Sequence, residues 1–134
     1  MNENCIFCKV ISGEIPSKKL WETEDLICIL DAFPVSKGHS LILTKKHFKT
    51  ISDCPDDILE QILPKIKETT ELLKNKLFVN NFNILQNNGK LAGQEVEHLH
   101  FHIIPIYEDD DAKVICGTST KNKISLDDVF KEIK

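Results

Sequence analysis

The stretch Gln94-Glu95-Val96-Glu97-His98-Leu99-His100-Phe101-His102-Ile103-Ile104-Pro105 constrains this chain more than any other, because it holds three of the five histidines. They alternate with Leu99, Phe101 and Ile103. Alternation of period two marks a β-strand, so the three imidazoles are expected on one face and the apolar residues on the other, toward a core. Alternate strand residues are about 6.7 Å apart, which separates the Cα atoms of His98 and His102 by roughly 13 Å. An imidazole nitrogen must come within about 2.1 Å of a zinc ion, so one ion holds both outer rings only by severe leaning. The three histidines are therefore expected to do different jobs.

A chain of 134 residues is expected to form one domain, with a core that needs no disulfide staples. Its formal net charge is -4, and all seventeen basic residues are lysine. Duplex nucleic acid is held by many basic phosphate contacts, so an acidic chain without arginine is not expected to bind it. A small phosphorylated ligand stays compatible, because backbone N–H groups and a few polar side chains can hold it. No apolar run reaches the 18 residues of a membrane span, and Met1-Asn2-Glu3-Asn4-Cys5 lacks the charged start and apolar centre of a signal peptide. The expected location is the cytoplasm, without membrane contact. In that reducing compartment five cysteines read as thiols or metal ligands rather than a disulfide framework.

Cys5-Ile6-Phe7-Cys8 opens a short helical turn in which Phe7, Val10 and Ile11 share a face, and Gly13 and Pro16 mark its end. A thioredoxin-like redox pair would follow a strand of a βαβ unit, so metal binding is the favoured use of this Cys-x-x-Cys. Leu20–Glu22 and Leu26–Leu30 read as strands joined by the turn Thr23-Glu24-Asp25, the second ending at the rim carboxylate Asp31. Asp31 suits a turn as well as a ligand contact. A third strand, Leu41–Thr44, leads to His47 at its end; His39, in the preceding turn, has no evident task. Residues 56–77 carry Ile58, Leu59, Ile62, Leu63, Ile66, Leu73 and Leu77 at helical spacing, so one long helix is expected, kinked at Pro64. Phe82–Gln86 should be a strand, joined through the loop Asn87–Gly93 to the histidine strand as its antiparallel neighbour. Tyr107–Asp111 reads as a solvated acidic loop. Ser125 with Asp128 resembles a capping box opening a terminal helix whose Leu126, Val129, Phe130 and Ile133 form one face.

Structural zinc commonly takes four thiolate and imidazole ligands. Cys5 and Cys8 supply two and His47 a third. One end of the histidine strand supplies the fourth, with spacing alone leaving His98 and His102 both open.

His98-Leu99-His100-Phe101-His102-Ile103-Ile104 resembles the His-x-His-x-His-x-x signature of the histidine triad (HIT) nucleotide-binding superfamily. Gly93-Gln94, Ile15-Pro16-Ser17-Lys18, and Asp31 followed by Lys45-Lys46-His47 are similar to that family in order and spacing, so the likeness runs from Cys5 to about Tyr107. It implies an α+β fold: an antiparallel sheet of about five strands with one long helix and short terminal helices. Residues 1–134 would be a single domain with a C-terminal extension from about 108, assembled as a homodimer. The Cys-x-x-Cys with His47 is similar to the zinc-bearing, Hint-like branch, in which the first triad histidine, here His98, completes a structural zinc site.

By the same resemblance His100 is the nucleophile that attacks the α-phosphorus of a nucleoside 5′-phosphate derivative, forming a nucleotidyl-histidine that water hydrolyses. Imidazole, with an ordinary pKa of about 6.5, suits that role. A backbone carbonyl near the first triad histidine would fix its tautomer. His102 and Gln94 would hold phosphate oxygens with backbone N–H groups around Glu95 and Val96. Asn87 would be a phosphate-side contact and Asp31 would bind the ribose hydroxyls. Phe7, Val10, Ile27 and Leu30 would line the base slot. Relatives often carry Ser or Thr where this chain has Glu95, and arginine where it has Ile106. The second exchange removes a contact for distal phosphates. The implied function is a hydrolase or phosphoramidase releasing a nucleoside monophosphate, AMP foremost, from a small adduct. The competing readings are a dinucleoside polyphosphate hydrolase or nucleotidyl transferase of the same family, and a nucleotide-binding scaffold or sensor.

Overall fold

A computed structural model describes residues 2–108 and 124–134, so most of the expected acidic loop, along with Cys116, lies outside the described residues. Helix α1 (Ile6–Ser12) is followed by strands β1 (Lys19–Glu22), β2 (Leu26–Leu30) and β3 (Ser40–Thr44). Helix α2 (Asp56–Leu77), strands β4 (Asn81–Leu85) and β5 (His100–Ile106), and helix α3 (Leu126–Ile133) complete the order. The strands form one antiparallel sheet in the order β1-β2-β3-β5-β4, giving the expected α+β architecture. No helix among the described residues is long and apolar enough to cross a membrane.

Local chemistry explains the element ends. Cys5 caps α1 with its Sγ, which accepts the Cys8 N–H at 3.3 Å, and Gly13 ends the helix in the left-handed region at φ 87°. Thr23 closes the β1–β2 turn: its N–H donates to the Leu26 carbonyl at 2.8 Å and its Oγ1 accepts from the Leu26 N–H at 3.1 Å. Ser125 caps α3 by accepting the Asp128 N–H, as its spacing suggests.

Alternation along the strands separates two cores. Leu26, Cys28, Ile42, Leu99 and Ile103 join Ile58, Ile62, Ile66 and Leu73 of α2 on one side of the sheet. Trp21 anchors that side, its Nε1–H donating to Thr69 Oγ1 at 2.8 Å. Ile27, Ile29, Leu41 and Leu43 pack under Phe7, Val10 and Ile11 of α1 on the other side.

Two expectations change. The histidine strand begins at His100, because His98 sits in the bend before it with its N–H on the Val96 carbonyl at 2.9 Å. The strand also runs through Pro105 to Ile106. Pairing with β3 ends at Ile103, so Pro105 faces only Phe82 of β4 and its missing N–H breaks no β3–β5 rung. On α2, Leu63 is not part of the buried face: it is 73% exposed, whereas its neighbour Ile62 is 2% exposed.

This neighbouring pair makes a test of the packing. Ile62→Ala should lower unfolding free energy by about 2–5 kcal/mol through a cavity in the core. Leu63→Ala should change it by less than about 0.5 kcal/mol in the same urea titration.

Candidate functional site

Register builds the site. β3 and β5 pair with Leu43 opposite His100 and Leu41 opposite His102, so both imidazoles project on the α1 side of the sheet. The His100 ring lies edge-on to Phe7 at 5.0 Å between centroids and edge-on to His102 at 5.0 Å. Its Nδ1 lies 2.6 Å from the His98 carbonyl oxygen. A carbonyl only accepts, so Nδ1 carries the proton and Nε2 keeps its lone pair. Burial pushes the His100 pKa below the ordinary histidine value, against the His98 carbonyl, Asp31 and Glu95, which push it up. The ring is a neutral base at neutral pH.

His39, given no task from the sequence, proves central. It is buried at the entry to β3, and its Nε2 lies 2.9 Å from His102 Nδ1 and 3.4 Å from Asp31 Oδ2. The Val35 N–H donates to His39 Nδ1 at 3.0 Å, so the proton of a neutral His39 sits on Nε2 and points at His102 Nδ1. His102 therefore carries its own proton on Nε2. Gly38 makes this possible: at φ 92° it brings the loop so near α2 that a Cβ would stand 2.7 Å from Leu77 Cδ1. Burial lowers the His39 pKa, opposed by Asp31. His102 is pushed down to about 4 by burial first and then by His100 and His39.

A second constellation joins the α1 turn to the sheet. Ligand atoms of Cys5, Cys8, His47 and His98 all lie within 4.8 Å of one another. His98 Nδ1 is 3.3 Å from Cys5 Sγ and 3.5 Å from Cys8 Sγ, and His47 Nδ1 is 3.3 Å from Cys8 Sγ. Around a tetrahedral zinc, with bonds of about 2.3 Å to sulfur and 2.05 Å to nitrogen, such atoms stand about 3.6 Å apart. His98 Nε2–H donates to the Thr44 carbonyl at 2.7 Å, which leaves Nδ1 as the lone-pair end facing the thiols. The donor set therefore fits a closed metal site, with His98 rather than His102 as fourth ligand. Asp31, His39 and His102 also lie within 4.8 Å of one another, with a different geometry. Their ring centroids stand 5.2 Å apart across a 2.9 Å N···N contact, so the two nitrogens face each other head-on instead of converging on a shared point. That arrangement carries a proton.

The remaining expected residues divide. Gln94 is 5% exposed and fully engaged with backbone: Oε1 accepts from the Gly89 N–H at 2.8 Å, and Nε2 donates to the carbonyls of Lys49 at 2.7 Å and Val96 at 3.0 Å. It shapes the 87–96 loop and has no N–H left for a phosphate, contrary to expectation. Asn87 Nδ2 donates to the Gly93 carbonyl at 3.3 Å on the same loop. Glu95 is exposed yet near enough to act on His100; Val96 is half-buried beside it. Asp31 Oδ1 accepts the Phe33 N–H at 2.9 Å, which holds the rim turn. Of the expected base slot, Phe7 and Val10 lie on the histidine side, while Ile27, 1% exposed, only backs it. Leu30 shares the parity of Leu26 and Cys28 and falls on the α2 side, leaving Ile29 under α1.

The HIT domain family matches residues 12–109, more than half of the chain. The chain belongs to the HIT family. An uncharacterised HIT-like protein of Methanocaldococcus jannaschii is 50% identical over 130 residues, 97% of this chain and 98% of the relative. The adenosine 5′-monophosphoramidase HNT1 of Candida albicans is 48% identical over 108 residues, 76% of this chain and 70% of the relative. Among solved HIT structures, a HIT family protein from Bacillus anthracis superposes with a TM-score of 0.88 at 33% identity, covering 99% of this chain and 94% of that one. A zinc-bound histidine triad protein from Mycobacterium smegmatis superposes with a TM-score of 0.75 at 30% identity, covering 80% and 78%.

Because the folded state holds His102 neutral down to about pH 4, it binds fewer protons than the unfolded chain below the ordinary value near 6.5. The contribution of a neutral His102 to stability is full above about pH 6.5 and is lost as pH falls toward 4. Urea midpoints measured from pH 7.5 to 4.5 should fall for the wild type and fall less steeply for His102→Asn, which takes up no proton.

Proposed function

We propose that this HIT protein is a phosphoramidase-type hydrolase that releases a nucleoside monophosphate, AMP foremost, from an amine linked to the α-phosphorus. The observation that carries the reading is the pair of fixed tautomers. His100 offers a lone pair on Nε2, and His102, beside it, offers a proton on Nε2. Nucleophile and acid thus stand side by side on one strand. The relatives named adenosine 5′-monophosphoramidase in yeasts support an adenylyl phosphoramidate as the substrate.

In the first step His100 Nε2 forms a bond to the α-phosphorus while the phosphorus–nitrogen bond to the amine breaks. His102 gives its Nε2 proton to the departing nitrogen. The positive charge then lies on the phosphorus-bearing ring of His100, while His102, one proton short, keeps its Nδ1 on the His39 Nε2–H. In the second step water attacks the nucleotidyl-histidine, the phosphorus–His100 bond breaks, and the water proton returns to His102. Amine and nucleoside monophosphate leave, and both histidines recover their starting forms. Asp31, at the rim, is the carboxylate available to the ribose hydroxyls. Phe7 and Val10, with Ile29, supply apolar surface for a base. Backbone N–H groups of Glu95 and Val96, in the loop that Gln94 holds in shape, are assigned to phosphate oxygens.

Cys5, Cys8, His47 and His98 would hold a zinc ion, which when bound supplies a fixed junction between α1 and the sheet. The zinc-bound mycobacterial structure supports that identity. A second copy of the chain is the assigned protein partner. The edge strand β4 with exposed Ile84, the exposed Phe78 beside it, and the uncovered apolar face of α3 are surfaces it could cover. A cytoplasmic setting suits the free thiols Cys5, Cys8, Cys28 and Cys54.

Incubation with an adenosine phosphoramidate should yield AMP faster than incubation with a diadenosine polyphosphate. AMP binding without turnover of either would mark a nucleotide sensor instead. His100→Ala should cut turnover by more than about 10³-fold with the fold intact, as loss of a nucleophile does elsewhere. Elemental analysis should find about one zinc per chain, falling sharply in Cys5→Ser or Cys8→Ser; a folded, metal-free wild type would remove the metal assignment.

A further inference from the structure

The two constellations share one residue. His98 presents its Nδ1 to the thiols of Cys5 and Cys8 at 3.3 and 3.5 Å and fixes its Nε2–H on the Thr44 carbonyl at 2.7 Å. Its own carbonyl accepts the His100 Nδ1–H at 2.6 Å. The side chain therefore belongs to the metal site and the backbone to the nucleophile, with no intervening residue. A second route runs beside it. Phe7 lies between Cys5 and Cys8 on α1, and its ring sits edge-on to both His98, at 5.9 Å, and His100, at 5.0 Å. Whatever holds the two cysteines thus sets both the hydrogen bond that orients His100 and the apolar wall against its ring.

We propose that His98 is a positioning residue through which the four-donor site of Cys5, Cys8, His47 and His98 holds the nucleophile, so that metal occupancy tunes the chemical step and does more than clip the N-terminal helix. The proposal rests on His100 being the nucleophile. Without metal, the contacts at His98 Nδ1 are thiol–imidazole hydrogen bonds, among the weaker ones a protein makes, and sulfur is a soft partner that tolerates displacement. Four donors on one ion are instead held to within about 0.2 Å. That difference matters two residues away, because a misplacement near 1 Å of a reacting group can cost about 10²-fold in rate. The effect should fall on the chemical step, since the rim carboxylate Asp31 is held by the Phe33 N–H and His39 rather than by the four donors.

The test uses the full chain in three states: zinc-loaded, stripped with a chelator, and reloaded with cadmium, a larger ion for the same donors. One readout is the His100 Nδ1–H resonance in ¹⁵N-edited NMR spectra without substrate. The other is the separate measurement of kcat and KM on an adenosine phosphoramidate. Stripping should broaden or displace the resonance and lower kcat by at least about tenfold, with KM changed less than about threefold, and zinc should restore both. An unchanged resonance and unchanged kcat in a stripped protein that merely melts earlier would overturn the proposal. Should the stripped protein unfold, the cadmium form decides. A displaced resonance with an altered kcat supports the coupling, and values identical to those of the zinc form overturn it. If no loaded form turns over, the phosphoramidase reading fails by itself, and the resonance still judges the coupling.

Discussion

The pairing of β3 with β5 is the interaction on which the site depends. With Leu43 opposite His100 and Leu41 opposite His102, the imidazoles share a face with the α1 core, and Phe101 and Ile103 go to the α2 core. A slip of one residue would exchange the two sets. Two imidazoles would then enter the apolar layer under α2, while Phe101 and Ile103 would face the ligand side. Burying unpaired imidazoles costs several kcal/mol, so the same apolar pattern that makes the core specifies the register of the chemistry. His39 follows from that register, because it continues the parity of Leu41 and Leu43 toward His102.

Tautomers give the site its direction. Three of the histidines are bound on one nitrogen by a backbone group that cannot change its role: carbonyls of Thr44 and His98 accept from His98 and His100, and the Val35 N–H donates to His39, which in turn orders His102. A carbonyl forces a proton onto the nitrogen that it meets, and an N–H forces a lone pair. One strand and its flanks thus present a thiol-facing lone pair on Nδ1 of His98, a lone pair on Nε2 of His100 and a proton on Nε2 of His102. Identical side chains thus take different tautomers from three backbone partners.

Much of this was legible in the residues. Period-two alternation located the strand, helical spacing gave 56–77 as a helix, and thiol and imidazole spacing brought Cys5, Cys8 and His47 together. The choice between His98 and His102 as fourth ligand was not legible in spacing, because it depends on where the strand begins. The bend at His98 frees its ring to turn toward the thiols, which an ideal strand would prevent. His39 escaped because its role needs knowledge of which strand lies beside β5, and sequence order alone favours a neighbour nearer in the chain. Its available signal was Gly38, a residue able to take the left-handed turn that seats the loop against Leu77. Leu30 and Gln94 were misjudged for opposite reasons. Leu30 has the right composition but the wrong strand parity, and Gln94 has the right chemistry but donors already committed to Lys49 and Val96.

Electrostatics closes the case for a neutral resting site. An acidic chain without arginine sets no guanidinium against a phosphate, and Asp31 and Glu95 both favour a charged His100. Burial outweighs them, which keeps the Nε2 lone pair of His100 available.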